Sequence, residues 1–126
     1  MESLKEMVKK LMSRPTEITR IQEEILSIAE SQMSIEKEII EISASIKSDI
    51  NSTIDANGKK IYTNAESRDS AFIEISNGNT DYLSMKAKST EIDSKIKSLR
   101  IQLDEENNIQ RNIRSVLPIF HLLDEN

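Results

Sequence analysis

The stretch ITRIQEEILSIAESQMSIEKEIIEISASI, residues 18–46, sets isoleucine at Ile18, Ile21, Ile25, Ile28, Ile35, Ile39, Ile42 and Ile46. The steps alternate between three and four, and Gln32 fills the one gap in the series. A strand would repeat its apolar residues every second position; steps of three and four instead follow the 3.6-residue helical turn and stack all nine side chains on one face. Eight isoleucines in nine such positions define a long helix packed along a seam, as in a coiled coil. Gln32, polar within that seam, is expected to fix register, with Ser89 doing so more weakly on a second helix.

Outward from this stretch, the same phase runs back through Leu4, Met7 and Leu11 across Pro15, and forward in steps of four to Ile50 and Ile54. Steps of four relax the supercoil. A second series comprises Tyr82, Met85, Ser89, Ile92, Ile96, Leu99 and Leu103; a polar run from Asp104 to Asn108 interrupts it before Ile109, Ile113 and Val116. Turn signals separate the two. Asn57-Gly58 and Asn77-Gly78 can each close a helix with a left-handed residue. Pro15 suits the first turn of a helix, and Pro118 disfavours helical geometry at Leu117.

These signals divide the chain into a basic amphipathic N-terminal segment at 1–14, a helical region at 15–116 and an apolar C-terminal tail at 117–126. Helices are expected at 3–13, 15–56, 65–76 and 80–116. The predicted fold is all-α: an antiparallel, coiled-coil-like hairpin of long helices with a short helix at its tip, oligomerising into a helical bundle. Ala65, Phe72 and Ile75 form the packing face expected of the short helix. Residues 16–57 carry nine acids and three bases, whereas 79–115 carry six acids and seven bases, so the two long helices complement each other in charge. One stripe against one stripe makes a thin core, and isoleucine throughout a seam favours three or four helices over two. Self-association follows, with Ile18, Ile21, Ile25, Ile28, Ile35, Ile39, Ile42 and Ile46 as the oligomer core.

Composition narrows the function classes. Among 126 residues 31% are charged and 3% aromatic, with no Trp and no Cys, so disulfides, thiolate metal sites and cysteine nucleophiles are excluded. No apolar run reaches the roughly 18 residues of a membrane span. The first residues lack the basic-then-apolar order of a secretory signal, which makes the cytoplasm the expected location. His121, the one histidine, stands in the apolar tail without a neighbouring nucleophile or acid. No Gly-rich phosphate loop, paired-histidine zinc motif or nucleophile elbow occurs. The chain reads as a non-enzyme without a cofactor or metal.

Three segments remain as binding candidates. Lys59, Lys60, Tyr62 and Arg68 surround the start of the short helix, with Asn64 as its N-cap. Either they hold a phosphorylated ligand, or the segment is a capped helix start with Tyr62 packed and Arg68 paired to an acid. The stripe of Lys86, Lys88, Lys95, Lys97 and Arg100 is basic, but an acidic chain with few aromatics argues for a solvated or acid-paired face over a nucleic-acid surface. Leu117, Ile119, Phe120, Leu122 and Leu123 make a tail that docks on its own bundle, on another subunit or on a partner. The N-terminal bases Lys5, Lys9, Lys10 and Arg14 alternate with apolar residues, fitting a continuation of the bundle or an arm swapped onto a neighbour.

The order Gly58-Lys59-x-x-Tyr62-x-Asn64-x-x-x-Arg68, set between two amphipathic helices, resembles small helical proteins encoded by bacteriophages and related mobile elements. The likeness covers the layout of residues 18–116. It implies a viral origin, and with it a host's cytoplasm as the location, and brings no activity with it. Such an origin implies a recombination accessory or an inhibitor of a host defence protein. The leading expectation is a non-catalytic, self-assembling helical binding protein acting on itself and on a host protein. The alternatives are an oligomeric sponge for a phosphorylated nucleotide immune signal and a nucleic-acid-binding accessory.

Overall fold

The computed structural model describes the backbone of residues 3–124 and the side chains of residues 3–119. It is all-helical. Three helices follow one another, α1 (Leu4–Ser52), α2 (Ala65–Asn77) and α3 (Thr80–Asp124), two of them long. No strand occurs among the described residues; an isolated antiparallel bridge joins Ile54 and Lys60. No helix among them is long and apolar enough to cross a membrane.

Burial follows the seam. On α1, Leu4, Met7, Leu11, Ile18, Ile25, Ile28, Gln32, Ile35, Ile39 and Ile42 are half-buried, and Ile21, Ile46 and Ile50 are buried. The same three-and-four phase also passes through Arg14, which is half-buried like its neighbours. On α3 the polar run does not break the phase. Glu106 and Gln110 carry it, half-buried, from Leu103 to the buried Ile113, while Ile109 lies at the exposed edge.

Pro15 does not separate two helices, because α1 runs through it. Its fixed φ is helical, and losing one backbone hydrogen bond costs roughly 3 kcal/mol. Seam residues on both sides, Leu11 and Ile18, stay half-buried and offset that loss. The start of α1 carries a cap absent from the sequence expectations: Glu6 N–H donates to Ser3 Oγ at 3.2 Å, and Ser3 N–H to the Glu6 carboxylate at 3.4 Å. Pro118 likewise lies inside α3, so the expected tail is helical as far as Asp124. Leu117 is half-buried and Ile119 exposed; the side chains of Phe120, His121, Leu122 and Leu123 lie outside the described residues.

The two Asn-Gly pairs differ. Gly58 has φ +77°, as expected, but it does not cap α1, which ends at Ser52. It closes a separate turn in which the Asp55 carboxylate accepts from the N–H groups of Asn57 (2.8 Å) and Lys59 (3.0 Å). Gly78 does cap α2, but in right-handed geometry (φ −96°), its N–H donating to Ile75 O at 3.1 Å. Asn79 then caps α3, accepting from Tyr82 N–H at 2.8 Å. Two residues suffice to connect α2 to α3.

The chain forms two compact units, Met1–Ala29 with Ser94–Asn126, and Glu30–Asp93. The first buries Ile21, Ile96, Leu99 and Ile113, and Arg14 reaches from α1 to form an ion pair with Glu106 on α3. These two side chains keep only 20% and 17% of their surface exposed. On its outer face, Arg20 bridges Glu17 (2.6 Å) and Glu24 (3.1 Å). The Arg20 hydrogen bond holds the Glu17 carboxyl below its ordinary value, so this contribution is present at neutral pH and fades as pH falls through that lowered value.

The second unit is where three helices meet. Ile46 and Ile50 of α1 and Ala71 of α2 form a buried cluster, flanked by Ile42, Tyr62 and Phe72. Phe72 stands edge-on to Tyr82 of α3, centroids 6.0 Å apart. The buried residues of α2 are Ala71 and Ser76; of the expected face Phe72 packs half-buried, whereas Ala65 and Ile75 are exposed, which corrects that face at these two positions. Gln32 donates to Asp93 across the same unit.

Ile46→Ala should destabilise the chain by about 2–5 kcal/mol in urea unfolding at fixed protein concentration, and Ile61→Ala by less than about 0.5. Gly58→Ala should cost about 1–2 kcal/mol through its left-handed φ. Gly78→Ala, whose added Cβ would meet Ile75 O at an ordinary 3.6 Å, should leave the midpoint nearly unchanged.

Candidate functional site

The end of α1 and the start of α2 build a groove. Asn64 Oδ1 accepts from Ser67 N–H at 2.7 Å, Ser67 Oγ accepts in return from Asn64 N–H at 3.4 Å, and Arg68 N–H donates to Asn64 O at 3.1 Å. This capping box fixes the first turn of α2 and therefore the direction in which Arg68 leaves it. One turn on, Phe72 packs on the buried cluster. Opposite, Lys47 and Asn51 lie four apart on α1, flanking the buried Ile50.

The resulting hollow, about 390 Å³, is lined by Lys47, Ile50, Asn51, Arg68, Asp69, Phe72 and Ile73. Its floor is apolar, through Ile50, Phe72 and Ile73. Its rim holds two cations and one carboxylate. Lys47 Nζ lies over the Phe72 ring, 5.4 Å from the centroid. Among the described residues neither Lys47 nor Arg68 has a carboxylate partner, although Arg68 is half-buried. A larger hollow of about 630 Å³ runs along α3 past Asp104, Asn107, Asn108, Gln110, Arg111, Arg114 and Ser115. One helix alone lines it, with no apolar floor, so the smaller groove is the better-built site.

The residues expected around a ligand are not all gathered here. Arg68 lines the groove. Lys59 and Lys60 stand exposed on the turn and bridge before α2, Tyr62 packs against the buried cluster, and Asn64 spends its side-chain oxygen on the cap. Lys47, Asn51 and Ile73 were not expected at a site. Their one signal in sequence is adjacency to Ile46, Ile50 and Phe72. Lys86, Lys88, Lys95, Lys97 and Arg100 are all exposed, Lys86 lying 5.5 Å from the Tyr82 ring centroid. Among the described residues no group of three or more His, Cys, Asp or Glu side chains is placed to hold a metal ion.

No protein-family model matches the chain, and neither the curated proteins nor the solved structures contain a match.

Asn64→Ala removes the acceptor for Ser67 N–H and should destabilise α2 by about 1 kcal/mol. Hydrogen exchange should show faster exchange confined to the first turn of α2, with the Asp55–Lys59 turn unaffected.

Proposed function

We propose that this chain is a non-catalytic, self-assembling helical protein that acts through protein–protein contacts. In this reading its long helices fold back antiparallel, and neighbouring copies complete each other's cores. The observation that carries it is the half-covered seam. Of the eight isoleucines assigned to the core, Ile21 and Ile46 are buried, whereas Ile18, Ile25, Ile28, Ile35, Ile39 and Ile42 stay half exposed on the single chain. In the second unit the contrast is local: Ile46 and Ile50 are buried where α2 adds a third helix, and Ile35, Ile39 and Ile42 before them are not.

Met12, Leu26, Met33 and Ile40 share one heptad position of α1, about 130° around the helix from the seam, and all four are exposed, giving α1 a second apolar stripe. Antiparallel pairing is supported within the second unit. Gln32 reaches Asp93, while Lys47, further along α1, meets Phe72 beside Tyr82, earlier on α3. The resemblance of residues 58–68 to phage-encoded helical proteins adds a host protein as a second partner, in a recombination or counter-defence setting.

Sedimentation equilibrium should give a mass at least twice the 14.4 kDa of one chain at micromolar concentration. Met33→Glu with Ile40→Glu should shift it toward one chain while helix content by circular dichroism stays high. A wild-type chain that remains monomeric up to about 100 μM, well above the Kd of a stable assembly, would remove the reading.

A further inference from the structure

We propose that the groove between the end of α1 and α2 binds a small phosphomonoester carrying an apolar or aromatic body. This goes beyond assembly and rests on one unit's own geometry. At about 390 Å³ the hollow falls in the range of roughly 300–1,000 Å³ that small-molecule sites occupy, and at its lower end. It suits a ligand of mononucleotide size.

Charge selects one end of the ligand. Arg68 is half-buried and makes no hydrogen bond or ion pair through its guanidinium among the described residues, so its donors are free to take an anion at the groove. A planar guanidinium with an ammonium beside the same hollow matches a tetrahedral dianion better than a neutral group. Lys47 supplies that ammonium from α1. Held over Phe72 at 5.4 Å, it is already drawn toward the groove and can swing on its flexible stem to the anion.

The lining also limits what else enters. Ile50, Phe72 and Ile73 give the body of the ligand an apolar surface, which inorganic phosphate leaves unused. Asp69 at the rim repels a second anionic group and accepts a hydrogen bond from a hydroxyl or amine on the ligand, with Asn51 able to do either. A polyphosphate or a nucleic-acid strand therefore fits worse than a single phosphate ester.

The test is 15N-detected titration of the full chain with phenyl phosphate, adenosine monophosphate, inorganic phosphate and a single-stranded oligonucleotide. Saturable shifts are expected for amides near Lys47, Arg68 and Ile73 with the first two probes. Inorganic phosphate should bind at least about tenfold more weakly, since it forgoes the apolar contact. Arg68→Gln should weaken the esters by about tenfold or more, the loss of a charge-assisted contact. Lys47→Gln, at an exposed position, should weaken them in the same direction and keeps the test decisive if the first variant unfolds. Equal binding of inorganic phosphate, binding of the oligonucleotide alone, indifference to both substitutions, or no saturable shift would each overturn the proposal. Because the shifts are read at the groove, their absence leaves the sedimentation result, and the assembly reading, standing on its own.

Discussion

A helix in water gains nothing from a stripe of isoleucine unless another surface covers it, and here that stripe runs the length of α1. Everything else in the chain is arranged around this requirement. The polar members of the seam matter because isoleucine alone does not specify alignment: any slip by seven residues sets apolar against apolar again. Arg14 and Glu106 break that degeneracy in the first unit. Sliding α3 by one heptad would set Leu99 or Ile113, both buried, where Glu106 stands, leaving a largely buried guanidinium without its carboxylate. Breaking such a pair costs several kcal/mol at full burial. Arg14 Nε is already buried without a hydrogen-bond partner, so the residual interaction through Glu106 is the one that keeps this charge in place. Gln32 and Asp93 provide a milder version in the second unit.

The seam was legible because helical periodicity is written in apolar side chains, and isoleucine has few reasons to recur at three and four. What reading apolar residues leaves out is a seam position that is polar. By apolar residues alone Arg14 is one of the N-terminal bases and Asp104–Asn108 an interruption, although the same count lands on Glu106 and Gln110. The helix ends were harder for a different reason. Proline and glycine report local preferences, and packing decides whether they prevail. Seam burial on both sides carries α1 through Pro15. Asn57-Gly58 was a true turn signal, yet it turns the link after the helix, because Asp55 supplies a carboxylate that gathers the nearby N–H groups.

The candidate site was legible in part for a related reason. Arg68 stood out since it follows a recognisable cap, and caps are local. Lys47 and Asn51 carry no local mark: a lysine and an asparagine four apart on a charged helix look like any solvated face. Only the docking of α2 makes them the wall of a groove. Lys59 and Lys60, by contrast, are close to Arg68 in sequence and stand apart from the groove, because the Ile54–Lys60 bridge takes their backbone along the link instead.

The position of that groove traces back to the seam itself. Through Ile42 the apolar residues of α1 keep alternating steps, and the stripe holds one direction. From Ile42 to Ile46 to Ile50 the steps are both four. Each four-residue step overshoots a full turn by about 40°, so the buried stripe swings around the helix over its last turns. Asp49, which the alternating pattern would have placed inward, is exposed, and Ile50 is buried instead. The swing brings Ile46 and Ile50 onto Ala71 of α2 and leaves Lys47 and Asn51 at the edge of that contact. A strict heptad continued to Ser52 would have kept the stripe in its earlier direction, with no rotated face for the short helix to cover. The same irregularity that ends the regular seam therefore creates both the buried cluster of Ile46, Ile50 and Ala71 and the hollow beside it.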